Sequence, residues 1–172
     1  MMDVPNNCVL LSFSDEKQLI IEKKYAEASL TIKDILEDIK DIGPEPILLP
    51  YISSVNFENV VFKYLNHFVD NKLQHPVYCK NIQIDLDQWE KEFLDDIFKN
   101  NAKDLFDLLI NANYLNINRL VLLICKYISD ILQQKPLEEL RTFLNITREY
   151  TSDEIQQIKE ENPWCIEKEK EK

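Results

Sequence analysis

Cysteine and histidine are the side chains best suited to nucleophilic or metal chemistry, and their spacing here serves neither. Cys8, Cys79, Cys125 and Cys165 stand singly, without the close pairs that a zinc site or a redox motif needs. They read as reduced thiols of an intracellular protein. His67 and His75 would enter a metal site only with ligands brought from elsewhere, and the pattern places one on a helix and the other in a loop. Gly43 is the single glycine of the chain, which removes both the glycine-rich phosphate loop and the G-x-S-x-G elbow. Carboxylates are abundant but sit mostly among lysines on helical faces, where solvation is their ordinary role. No catalysis, metal or cofactor is expected from such a set.

What remains is the chemistry of apolar anchors, concentrated in the last third of the chain. From Ile117 onward, Leu120, Val121, Ile124, Cys125, Ile128, Ile131 and Leu132 recur at three-and-four spacing, on one face of a helix. Leu122, Leu123 and Tyr127 fall off that face, so the helix is apolar almost all round and needs cover on more than one side. Pro136 opens the next segment as a first helical residue. Its Leu137, Leu140, Phe143 and Leu144 make a stripe well short of the ~12–15 residues that a lone helix needs in water. Thr151 and Glu154 have capping-box spacing and start a third segment with Ile155 and Ile158, which ends at Asn162-Pro163-Trp164-Cys165. Short helices bearing leucines and a terminal tryptophan cannot shelter all of them, so a substantial share is expected to face a partner.

The elements that must position these anchors are legible upstream. Val9 to Phe13 and Leu19 to Ile21 read as two strands joined by a tight turn. Leu30, Ile35, Leu36 and Ile39 mark a helix between Ala26 and Ile42, stopped at Gly43-Pro44. Ile47-Leu48-Leu49 reads as a brief third strand, and Phe57, Val60, Val61, Tyr64, Leu65 and Phe68 as one long amphipathic helix. Residues 70–85 read as a mobile loop, followed by a short helix around Trp89 to Leu94 and another over Ala102 to Ala112. The order is α+β, with helices gathered on a small three-stranded sheet. At 172 residues the chain can bury a real core, divided as residues 1–132 and a helical extension 133–172 with a frayed charged tail. A net charge of −11 argues against nucleic acid and anionic membrane as partners. The longest strongly apolar run, Leu120 to Cys125, is far shorter than the ~20 residues of a membrane span.

Several motifs carry a family likeness in their order. Leu30-Thr31-Ile32-Lys33, then Trp89, Glu92, Phe93 and Leu94, then Asn113-Tyr114-Leu115, Cys125-Lys126, Glu138-Glu139-Leu140-Arg141, Asn145-Ile146 and Glu160-Glu161-Asn162-Pro163-Trp164-Cys165 together resemble the S-phase-kinase-associated adaptor family of SCF ubiquitin ligases. The resemblance implies a BTB/POZ fold with a C-terminal F-box-binding extension, and a non-catalytic adaptor that bridges a cullin scaffold to F-box proteins in cytoplasm and nucleus. It implies cullin contacts at Asn113 and Tyr114, and F-box contacts at Cys125, Ile128, Leu132, Leu137, Leu140, Leu144, Ile146, Ile158 and Trp164. Free of partners, such a chain is expected to form weak homodimers. Two departures stand out: Leu144 occupies the place of a usual phenylalanine, and Arg119 that of a usual glycine. An elongin-C-like adaptor would end after the long helix, so residues 133–172 weigh against it; a BTB module for homo-oligomerisation is the third reading.

Overall fold

The computed structural model describes residues 4–38, 45–76 and 85–165. Ile39, the Gly43-Pro44 stop, the middle of the expected loop with Cys79 and Lys80, and the closing charged tail lie outside the described residues. Contacts divide the chain into two compact units, Met1–Gln133 and Gln134–Lys172.

The first unit is an α+β domain on a three-stranded sheet ordered β2-β1-β3. Strand β1 (Cys8–Phe13) pairs antiparallel with β2 (Gln18–Glu22), with Val9 opposite Ile21 and Leu11 opposite Leu19. Val9, Leu11 and Phe13 alternate into the core as the period of a strand requires. The turn is closed by Glu16 in the left-handed region (φ 61°), with the Glu16 N–H donating to the Phe13 carbonyl and the Phe13 N–H to the Lys17 carbonyl. This is a three-residue hairpin built without glycine. Strand β3 (Ile47–Leu49) lies parallel to β1, a pairing that demands a crossover. Helices α1 (Lys23–Ala26) and α2 (Leu30–Asp38) lie in that connection.

The expected helix from Ala26 is thus two short ones, parted at Glu27–Ser29. Ser29 explains the break: fully buried, its hydroxyl accepts from the Ile32 N–H and so caps α2. The expected helix over Phe57 to Phe68 is also composite. Helix α3 (Ser54–Asn56) runs into a π-helical turn (Phe57–Val61) and then α4 (Phe62–Asp70). The short helix expected around Trp89 extends to α5 (Gln88–Asn100), because Asp87 and Glu90 close a capping box that starts it firmly. Helices α6 (Ala102–Tyr114) and α7 (Asn118–Gln133) complete the unit.

On α7 the core face differs from the one expected. Leu120, Leu123, Ile124 and Tyr127 are buried, whereas Val121, Ile128, Ile131 and Leu132 are half-buried and Cys125 is exposed. Two apolar faces compete on this helix, and packing on α6 and α5 selects the one with Tyr127, whose hydroxyl donates to Asp95 Oδ1 at 2.5 Å. Among the described residues every buried hydrophobic side chain lies between Val9 and Tyr127.

The second unit holds α8 (Leu137–Phe143), α9 (Ser152–Glu161) and a 3-10 turn (Pro163–Cys165). Pro136 is the cap of α8 rather than its first residue, with extended backbone (ψ 158°). The Thr151–Glu154 box starts α9 as expected. No helix of the described residues is long and apolar enough to cross a membrane.

Candidate interaction surfaces

Asn113 and Tyr114 end α6, and the chain turns immediately after them. The left-handed residue that closes the helix is Asn116 (φ 54°), with the Ile117 N–H donating to the Ala112 carbonyl and the Asn116 N–H to the Asn113 carbonyl. That is a Schellman cap, and it leaves Asn113 exposed and Tyr114 half-buried. The last carbonyls of α6 are held from the other side: Ser29 Oγ donates to the Leu115 carbonyl at 2.7 Å and Thr31 Oγ1 to the Tyr114 carbonyl at 3.0 Å. The helix end is therefore pinned to the buried start of α2.

Tyr114 does not stand alone. The ring of Tyr51, 79% exposed, meets it edge-on at 5.3 Å. Ile110, one helical turn earlier on α6, is 65% exposed. Burial and then the neighbouring Tyr51 push the Tyr114 phenol above its ordinary range, so its hydroxyl stays a neutral donor. Motif reading missed Tyr51 and Ile110; an exposed aromatic just after Pro50 was the available signal. Apolar side chains of this size left exposed together at a fixed helix end are surface that a partner could cover.

Cys125, Ile128 and Leu132 are brought together. With Phe106 and Leu109 of α6 they line an apolar groove of about 480 Å³ along the distal half of α7. The remaining predicted anchors lie in the second unit, and most of those described face solvent. Leu140 is half-buried, while Leu144, Ile146 and Ile158 are exposed and Trp164 is 81% exposed. Leu137 opens α8, but its side chain lies outside the described residues. Asn145 (φ 53°) makes a second Schellman cap, with the Ile146 N–H donating to the Arg141 carbonyl at 2.8 Å. That turn fixes Leu144 and Ile146 on either side of it. The following loop is tied by Arg141, which donates to the Arg148 carbonyl, and by the Arg148–Glu154 ion pair. Helix α9 buries none of its own residues.

The polar groups of the first unit gather elsewhere, around Glu90. Fully buried, it receives Arg119 Nε and Nη2 on its two oxygens at 3.0 Å each. The Asp87 N–H donates to the same carboxylate at 3.1 Å and the Tyr64 hydroxyl at 3.4 Å. Burial would lower the Arg119 pKa, but its hydrogen bonds and ion pair with Glu90 outweigh that and raise it. Arg119, unexpected at this place, is thus the counter-ion of a buried acid. His67 stacks on Trp89 at 3.8 Å and reaches Asp87 Oδ2 at 3.2 Å, so His67, Asp87 and Glu90 come near one another. Glu90 has both oxygens engaged by Arg119 and is no free metal ligand.

Comparison with known proteins decides the family. A model described as the Skp1 family tetramerisation domain matches residues 7–70, and one described as the Skp1 family dimerisation domain matches residues 118–165. This chain belongs to the Skp1 family. Two relatives from Dictyostelium discoideum, the SCF ubiquitin ligase complex proteins SKP1a and SKP1b, are each 37% identical over 167 residues, covering 93% of this chain and 96% of theirs. The E3 ubiquitin ligase complex SCF subunit sconC of Arthroderma benhamiae is 32% identical over 173 residues, covering 97% of this chain and all of its own. The Skp1-family match to residues 118–165 spans α7, α8, α9 and the 3-10 turn, with Cys125, Ile128, Leu132, Leu137, Leu140, Leu144, Ile146, Ile158 and Trp164 all inside it.

Proposed function

We propose that this Skp1-family chain is a non-catalytic adaptor subunit of an SCF-type ubiquitin ligase, joining a cullin scaffold to F-box substrate receptors. The cullin side is the α6 end, with Asn113 and Tyr114. The F-box side uses Cys125, Ile128 and Leu132 on α7 and Leu137, Leu140, Leu144, Ile146, Ile158 and Trp164 in the extension. One observation carries the reading. Trp164 is 81% exposed and α9 buries nothing, an arrangement with a purpose only if a partner supplies the missing apolar contact. Free of F-box protein, the same surface would pair weakly with a second copy. The reading also places the chain in cytoplasm and nucleus, where a fluorescent fusion would locate it.

Separable loss of the two partners tests it. Asn113→Lys with Tyr114→Lys should abolish cullin capture and spare F-box capture. Leu140→Asp or Trp164→Ala should do the reverse, since an anchor buried in a partner groove contributes ~2 kcal/mol or more, a loss of about thirtyfold. Circular dichroism would first show each variant folded. If either set lost both partners equally while folded, the two-surface adaptor would be refuted.

A further inference from the structure

A pocket of about 180 Å³ opens where the π-helical turn, α5 and α6 meet. Asp104, Asp107 and Asn111 line it from α6, at the i, i+3, i+7 spacing that stacks them along one helix face. Asn56 adds a carboxamide from the start of the π turn. Asn111 is only 9% exposed, and its carboxamide has no hydrogen-bond partner among the described residues. Its amide atoms open on the pocket and are free to bond an occupant. Neither carboxylate has an ion pair among the described residues. The π turn beside it is an irregularity frequent at functional places.

The walls say what kind of occupant fits. Val60, Ile97 and Leu108 give the pocket an apolar flank, while the oxygens come only from two carboxylates and two carboxamides. A divalent ion wants six or more oxygens around it and gains nothing from aliphatic walls. An arginine or lysine side chain matches both parts: its methylene stem lies on the apolar flank and its head meets the acids. The pocket also shares helix α6 with the proposed cullin face: Ile110 and Tyr114 follow Asp107 by three and seven residues.

We propose that this pocket receives a basic side chain of the cullin scaffold docked on the Tyr51–Tyr114 face, and that it sets the orientation of that contact. The inference rests on the adaptor reading and adds an electrostatic anchor to an otherwise apolar interface. Asp104→Asn with Asp107→Asn keeps shape and removes charge at solvent-accessible positions, so folding is not at stake. Calorimetric titration of the full chain with a purified cullin N-terminal region, at low and high salt, reads the effect. The double variant should bind about tenfold more weakly or worse, with a shallower salt dependence, and Tyr114→Ala should also weaken binding. If Tyr114→Ala binds poorly but the double variant behaves as the parent at both salts, the pocket proposal is overturned and the adaptor face stands. Parental binding by Tyr114→Ala would overturn the face itself, and the pocket's role with it. If chelator treatment of the parent reproduces the loss seen in the double variant, the occupant is a divalent ion and the basic side chain is refuted.

Discussion

Replacing Arg119 by leucine should destabilise the first unit strongly although it touches neither proposed surface. Glu90 has no exposed surface, and Arg119 supplies two charge-assisted hydrogen bonds of 3.0 Å. In Arg119→Leu the carboxylate stays buried with only the Asp87 N–H and the more distant Tyr64 hydroxyl as donors. Removing one partner of a buried ion pair costs ~3–5 kcal/mol. The two remaining donors set this case at the lower end, about 3 kcal/mol, which in a chain of this size lowers the melting temperature by about 6–12 °C. Pairing the change with Glu90→Gln removes the stranded charge and keeps a capping-box side chain at that position. The double variant should therefore recover about 2 kcal/mol of the loss. Urea denaturation of the four proteins in the cycle reads the coupling directly. A loss below about 1 kcal/mol in Arg119→Leu, or no recovery in the double variant, would refute the view that Arg119 exists to neutralise Glu90.

Alkaline pH should unfold the first unit more readily than its carboxylates would suggest. Burial, followed by the charge of Glu90, pushes the Tyr64 phenol well above its ordinary value. Burial and the Asp95 hydrogen bond do the same to Tyr127. Folding is favoured while both phenols are neutral, so their contribution is whole below the unfolded-state value near ~10 and is lost as pH climbs above it. Tyr64→Phe and Tyr127→Phe should flatten the alkaline limb of a stability–pH curve; an unchanged limb in both would count against the assignment. Truncation after Gln133 should leave a cooperatively unfolding domain, since the buried core among the described residues ends at Tyr127, while capture of F-box proteins should vanish. Loss of a cooperative melt would show that the extension belongs to the core.

Periodicity in the sequence located most elements of this fold, and its failures have identifiable causes. On α7 the three-and-four rule found a helix but not its buried side, because two overlapping apolar faces satisfy the rule equally. Tertiary packing breaks that tie, in part through Asp95 and Phe98 on α5, which meet Tyr127 from about 30 residues upstream. The π turn at Phe57–Val61 is invisible for a related reason: the apolar spacing Phe57, Val61, Tyr64, Leu65, Phe68 fits an unbroken helix just as well. Helix ends were hard to place because glycine, their usual marker, is absent there. Left-handed caps fall instead on Asn116, Asn145 and Lys72, and asparagine in this chain is too common to signal one position. The Asp87–Glu90 box was readable from its spacing, whereas the Glu90–Arg119 pair, 29 residues apart, had no local signature.

The two proposed surfaces differ in how the chain holds them, and that difference bears on how each would bind. Tyr114 is placed by fixed groups: the buried Ser29 and half-buried Thr31 hydroxyls grip the carbonyls of residues 115 and 114, and Asn116 turns the chain away beneath them. A partner meeting this face finds it already arranged, so little ordering is charged against affinity. The extension is built otherwise. Helices α8 and α9 span 7 and 10 residues, below the ~12–15 that persist alone in water. Their caps, ion pairs and Schellman turn define local shape, but they supply no buried apolar area to α9. Binding there must offset the cost of fixing those helices with the area gained by Ile158 and Trp164, which favours large, enclosing partners over small flat ones. An adaptor with one rigid face and one adaptable face can keep a single scaffold while accepting receptors of varied surface.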